Sequence, residues 1–314
     1  MSATVVVPSV TQEQKLLIVL VSAVFHHIVY LGSGTLSSGL FKKYSYSYPD
    51  QRAWRSRCTS MVHAFIVGAL GFYVLFIEKK LDMEVVWTAT NLSTITMAIS
   101  TGYFLWDSIV VLLRYDLFGF LFALHGLYCL YVYAAASFYL VYHYHAMALL
   151  MFEWSTPFMN AFFMADQIET KMDALARASS SNNAEQNNKK QSKVQGAPAW
   201  YKMFTFILSG VFALSFFLVR IVWGNYHYYH FYRVCWNLWY ELPAWFNISL
   251  MALIIVAFLL NGTWMVQIIL TGLNLLPKPD PNVATSKPGP SKQAQSTTPT
   301  STSQTADDKK AKKD

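Results

Sequence analysis

Charge is scarce in this chain. Only 13% of its 314 residues are Asp, Glu, Lys or Arg, against about 25% in an ordinary soluble domain. Apolar residues make up 54%, including the 16% that are aromatic, so most of the chain is not built to face water. Cysteine is scarce too. Cys58, Cys129 and Cys235 fall in unrelated segments, which argues against a disulfide framework and a zinc cluster. The first apolar stretch has no clear small-residue cleavage site after it, so it reads as a retained span and not as a signal peptide. No internal repeat is found. The net charge of +7 resides in loops and tails beside apolar stretches. That is the signature of membrane-side charge bias and not of a nucleic-acid partner.

What the sequence does have is long apolar runs. Several reach about 20 residues, enough to cross a hydrocarbon core about 30 Å thick. In lipid only helices and closed barrels satisfy the backbone, and runs this uniform indicate helices. The expected fold is therefore all-α: a polytopic membrane protein of about seven transmembrane helices, at 16–36, 60–77, 92–113, 117–137, 141–164, 203–223 and 246–272. A turn near Phe138 divides the long apolar stretch from Leu117 to Phe163. The expected organisation is a leader over 1–15, a transmembrane domain over 16–276 with a flexible loop at 166–200, and a disordered tail over 277–314. The loop and tail are polar and low in complexity.

With seven crossings, the loop carrying Lys42, Lys43, Arg52, Arg55 and Arg57, the turn with Arg114, the 166–200 loop and the lysine-rich tail share one side. The positive-inside rule makes that side cytosolic and the N-terminus lumenal. Near the end, "KAKKD" (Lys310 to Asp314) has the lysine spacing of a cytosolic dilysine retrieval signal. "WGNYHYYHFYRVCWNLWYELPAW" (Trp223 to Trp245) reads as an interfacial aromatic belt between two helices. His227 and His230 there lack an acidic or thiol partner at metal-ligand spacing, and no metal or other cofactor is expected. Sequons at Asn91, Asn247 and Asn261 lie near or inside spans, so glycans are not expected on them.

Ionisable groups inside spans are expensive and call for a functional explanation. Counting helical rise puts Asp107 about 9 Å and His125 about 12 Å from the cytosolic face. The two can then meet at one depth, with Asp107 orienting His125 as a base. His63 enters from the same side. Glu153 and Asn160, two turns apart, share a helix face, and Pro157 between them should kink the helix and open a polar recess. Arg220, near a helix end, is expected to snorkel to the interface. The plain alternative is that such polar groups only lock helices together.

"WRSRCTSMVHA" (Trp54 to Ala64), "GYFLWDSIVVL" (Gly102 to Leu112), the isolated His125 and "FEWSTPFMN" (Phe152 to Asn160) follow one another in the order of the TLC domain. Over roughly 50–275 the chain resembles that family, which includes translocation-associated membrane proteins and longevity-assurance ceramide synthases. The resemblance is nearest to the smaller TLC domain-containing branch. It implies an endoplasmic reticulum or related membrane, a lipid partner such as a sphingoid base or acyl chain, and a role in lipid composition. Protein partners are not indicated. Ceramide synthases carry two adjacent histidines in the helix of His125; here the second position is Gly126. Three readings follow: a lipid-binding protein of membrane lipid homeostasis with His63, Glu153, Pro157 and Asn160 lining its cavity; an N-acyltransferase using His125 and Asp107; and a membrane adaptor or cargo receptor working through its tail.

Overall fold

A computed structural model describes residues 8–185 and 195–273. Among these, helices follow one another without a strand: α1 (Gln12–Leu36), α2 (Ser38–Lys43), α3 (Tyr48–Phe72), α4 (Asn91–Leu113), α5 (Tyr115–Tyr139), α6 (His143–Leu150), α7 (Thr156–Glu185), α8 (Ala199–Phe216), α9 (Gly224–Asn237) and α10 (Ala244–Gly272). Six helical stretches among the described residues are long and apolar enough to cross a membrane. The remaining expected span is there but broken. It runs through α6, a tight 3₁₀ turn at Met151–Ser155 and α7. Pro157, second residue of α7, lacks the N–H that would continue the α ladder back to Glu153, so the break falls where proline requires it.

Helix starts are written locally. Thr11 and Gln14, Ser47 and Asp50, and Thr90 and Ser93 form reciprocal capping boxes at α1, α3 and α4. The Ser47 box, with Pro49 in the first turn, begins α3 twelve residues before the apolar run itself, which is why the expected start at 60 is late. The division expected near Phe138 lies at Leu140–Tyr142. There Leu140 and Tyr142 take left-handed backbone, and the Tyr142 N–H donates to the Val86 carbonyl at 2.7 Å.

Two other expectations change. Residues 166–185, expected to open a flexible loop, continue α7. Residues 186–194 and the tail from 274, with its dilysine pattern, lie outside the described residues. The aromatic segment from Trp223 is not a loop between spans. Wider π turns at Phe217–Trp223 carry α8 into α9, giving one helical stretch from Ala199 to Asn237. At 1.5 Å per residue that stretch is about 58 Å long, well beyond the hydrocarbon thickness.

The two larger of three apolar clusters among the described residues hold the bundle. One, around Val67, Met97, Phe104, Tyr133 and Met147, joins α3, α4, α5 and α6. The other, around Leu149, Tyr228, Phe231 and Leu250, joins α6, α9 and α10. The outer faces of α1, α8 and α10 expose Leu17, Val24, Phe206 and Ile255 among many others. Such faces would aggregate in water and are suited to lipid.

Candidate functional site: a buried polar layer

Arg220 is the centre of the layer. It sits in the π segment and is 6% exposed, so it does not snorkel. The widened turns carry α8 onward instead of ending it at 223, and Arg220 is left inside the bundle. Its Nε donates to Ser155 Oγ at 3.0 Å, Nη2 to Thr156 Oγ1 at 3.4 Å and Nη1 to Asn261 Oδ1 at 3.5 Å. Asn261 donates in turn to the Tyr228 hydroxyl at 2.9 Å. Phe216, Phe152 and Trp264 turn ring faces to the guanidinium, with centroids 5.4, 5.7 and 6.0 Å away. Aromatic quadrupoles partly replace the water that the cation has lost.

Glu153, in the 3₁₀ turn, is 8% exposed, lies beside Thr156 and feels the field of Arg220. The two do not form a direct ion pair. Cys129 is buried on α5 where the fields of Glu153, Arg220 and Asp107 overlap. His125, one turn earlier, packs its ring 3.8 Å from the Cys129 sulfur and edge-on to Trp264 at 5.4 Å. His125 therefore joins the layer through α10.

Asp107 comes close to α5 but not to the histidine. No hydrogen bond joins it to His125. Its Oδ2 lies instead 3.4 Å from where a Cβ on Gly126 would stand, and Ser108 Oγ only 3.1 Å away. The missing side chain at 126 thus lets α4 and α5 approach closely.

His63 belongs to a different neighbourhood. It is fully buried, stacks on Tyr103 at 3.7 Å and meets the ring of His26 at 5.4 Å. Both of its ring nitrogens, and Nε2 of His26, have no hydrogen-bond partner. Phe104 stands between this group and His125, with centroids 5.4 Å from His63 and 6.1 Å from His125. Asn160, 2% exposed on α7, accepts from Arg57 of α3 at 3.5 Å, while Glu153 addresses Thr156 and Arg220. The 3₁₀ turn separates the partners of the two residues. Pro157 is buried at the helix restart, next to Thr156. Asn247 and Asn261, both sequon residues, are buried and hydrogen-bonded within the bundle.

Of the residues expected to share one site, Glu153 lies in the Arg220 layer with His125 beside it, Asp107 packs at Gly126, and His63 sits in a separate group with His26; the sequence reading of the site did not include Arg220, Asn261 or Tyr228. A lone arginine in "FFLVRIVW" was the available signal for the first. No group of three or more metal-ligating side chains is found among the described residues.

Comparison with known proteins agrees with the architecture. A family model described as the TLC domain matches residues 53–270. TLC domain-containing protein 4-B of Danio rerio is 34% identical over 130 residues, 41% of this chain and 49% of that protein. TLC domain-containing protein 4 of Homo sapiens is 28% identical over 137 residues, 43% and 51% of the two chains. These matches span about half the length of those relatives. Topoisomerase I damage affected protein 4 of Saccharomyces cerevisiae is 25% identical over 211 residues, 67% of this chain and 66% of that one. No solved structure matches. With the family model extending from α3 into α10, and the helical membrane architecture agreeing with it, the chain belongs to the TLC-domain family.

Proposed function

We propose that this protein binds a membrane lipid within its helical bundle, at the layer around Arg220, and thereby contributes to membrane lipid homeostasis. The observation that carries the reading is the state of Arg220. A guanidinium has five N–H donors, and Ser155, Thr156 and Asn261 take one each. Two donors remain for a ligand in a setting where water is excluded and every unmet donor is costly. A lipid hydroxyl, carbonyl or carboxylate supplies the acceptor, with Trp264 and Phe152 as apolar walls. His125, partly exposed beside Trp264, marks the side from which a lipid enters between α5 and α10.

Arg52, Arg55 and Arg114 lie near one another around Tyr30, and Lys171 meets Asp50 of the same turns of α3, which supports a cytosolic placement of these segments. Two features speak against an acyltransferase: Asp107 does not hold His125 as a base, and α4 fills the place of a second histidine at 126.

The test is the purified protein in nanodiscs. Its retained lipids are measured by mass spectrometry, beside an assay with acyl-CoA and a sphingoid base. Binding predicts a retained lipid class that Arg220→Gln loses, and no acylation. Acylation by the wild type that His125→Ala abolishes would overturn the reading.

A further inference from the structure

The end of the bundle that carries the basic loops holds a second cluster, separate from the Arg220 layer. Arg52 and Arg55, from the first turns of α3, and Arg114, at the junction of α4 and α5, all lie within electrostatic reach of the Tyr30 phenol on α1. Arg55 lies flat on α1. A Cβ on Gly34 would fall 2.3 Å from its Nε and 2.5 Å from its Cζ, so the guanidinium occupies the space a side chain would need. Its Cζ is 5.9 Å from the Tyr30 ring centre. Arg52 lies 4.3 Å over the ring of Tyr48 and donates to its hydroxyl.

The counter-charge is incomplete. Arg114 meets Asp116 at 3.3 Å, and that carboxylate is 70% exposed. Asp50, on the same turns of α3, is taken by Lys171 at 2.7 Å. Three guanidiniums therefore face one carboxylate, and the Nε atoms of Arg55 and Arg114 are buried with no partner. Like charges within electrostatic reach of one phenol repel, and buried donors without acceptors destabilise further. An anion relieves both.

We infer that this cluster is a binding site for a phosphate monoester carried by a membrane lipid. The charge fits: the cluster's excess of two positive charges matches a monoester, which carries about −1.5 to −2 near pH 7. The geometry fits as well, because guanidinium forks take phosphate oxygens two at a time. The lipid source follows from position. Leu31 on α1, which follows Tyr30 and lies about 60° around the helix from Gly34, is exposed, so apolar surface flanks the cluster. A headgroup reaches it while its chains stay on α1. The inference stands whether or not the Arg220 layer binds lipid.

The test uses the full chain in neutral detergent. Affinity is read by native mass spectrometry for short-chain phosphatidic acid, for phosphatidylcholine of the same chains, and for soluble glycerol phosphate. Phosphatidic acid is expected to bind at least about tenfold more tightly than either other probe, as charge-assisted bonds to a fork require. Arg55→Gln is expected to remove that preference, and Arg55→Lys to keep part of it by retaining charge without the fork. If Arg55→Gln does not fold, Arg114→Gln, at a partly exposed side chain, replaces it. Equal binding of phosphatidylcholine, or an unchanged preference in the glutamine variant, overturns the site. Glycerol phosphate binding as tightly as the lipid overturns the lipid source. Retained lipid at the Arg220 layer is scored separately, as the lipid class that the wild type and Arg55→Gln both keep in nanodiscs.

Discussion

Removing the charge of Arg220 is the most informative single perturbation. Its guanidinium holds Ser155, Thr156 and Asn261 and lies in the field of Glu153 without touching it. Breaking a buried charged set by deleting one member costs about 3–5 kcal/mol, because the remaining charge is left uncompensated. Arg220→Gln should therefore destabilise strongly, and Glu153→Gln by less, since Arg220 keeps its neutral acceptors and ring faces. The double variant separates the shares. Two unit charges about 4 Å apart attract by about 4 kcal/mol at an effective dielectric of about 20, and Arg220 and Glu153, which make no direct ion pair, attract by less. A double-mutant cycle on chemical unfolding in detergent micelles should then give a coupling of about 1–3 kcal/mol, with the double variant more stable than the two single losses added together. Coupling below about 0.5 kcal/mol, the range of independent sites, would mean that Glu153 does not balance Arg220. It would refute the view of the layer as one electrostatic unit.

Restoring the second histidine of the ceramide synthases should fail. Gly126→His places atoms where Ser108 Oγ and Asp107 Oδ2 already stand, and overpacking of this kind costs about 1–3 kcal/mol or more. A lowered melting temperature with no acylation is expected, whereas acylation without destabilisation contradicts the packing described here. At the basic end, the Asp173 carboxyl is held below the usual carboxylate range, chiefly by the hydrogen bond from Lys202 at 2.9 Å and also by the Ala197 N–H at 2.8 Å. A depressed carboxyl stabilises above its unfolded pKa, and that contribution disappears as pH falls through the folded one. The Ala197 amide should thus lose hydrogen-exchange protection below about pH 4. Asp173→Asn should lack this acid step, and an unchanged pH profile in that variant would contradict the assignment. Leu150 and Met147, fully buried at the bundle centre, should each cost about 2–5 kcal/mol when cut to alanine. Exposed Leu17 on α1 should cost little in thermal unfolding in detergent.

Some of this could be read before any coordinates. Apolar runs and Pro157 act within a few residues of themselves, so the crossings and the break beside Pro157 were legible locally, whereas the capping boxes that set the true start of α3 went unread. Depth was legible too, because helical rise is fixed at 1.5 Å per residue. That is why Asp107 and His125 were expected at one level. Azimuth was not. One residue turns a helix by about 100°, and only the docking of α4 on α5 decides that Asp107 faces Gly126. The same limit hid Arg220. Its place in "FFLVRIVW" fixes a charge within an apolar segment, but the continuation of α8 through π turns, and the approach of α7 and α10, decide that it lies inside and not at the rim. The sequence alone determined that lipid is this protein's solvent and that its long apolar runs form helices. The tertiary structure decided which polar groups meet, because a meeting depends on the rotation of several helices at once, and no single helix encodes that.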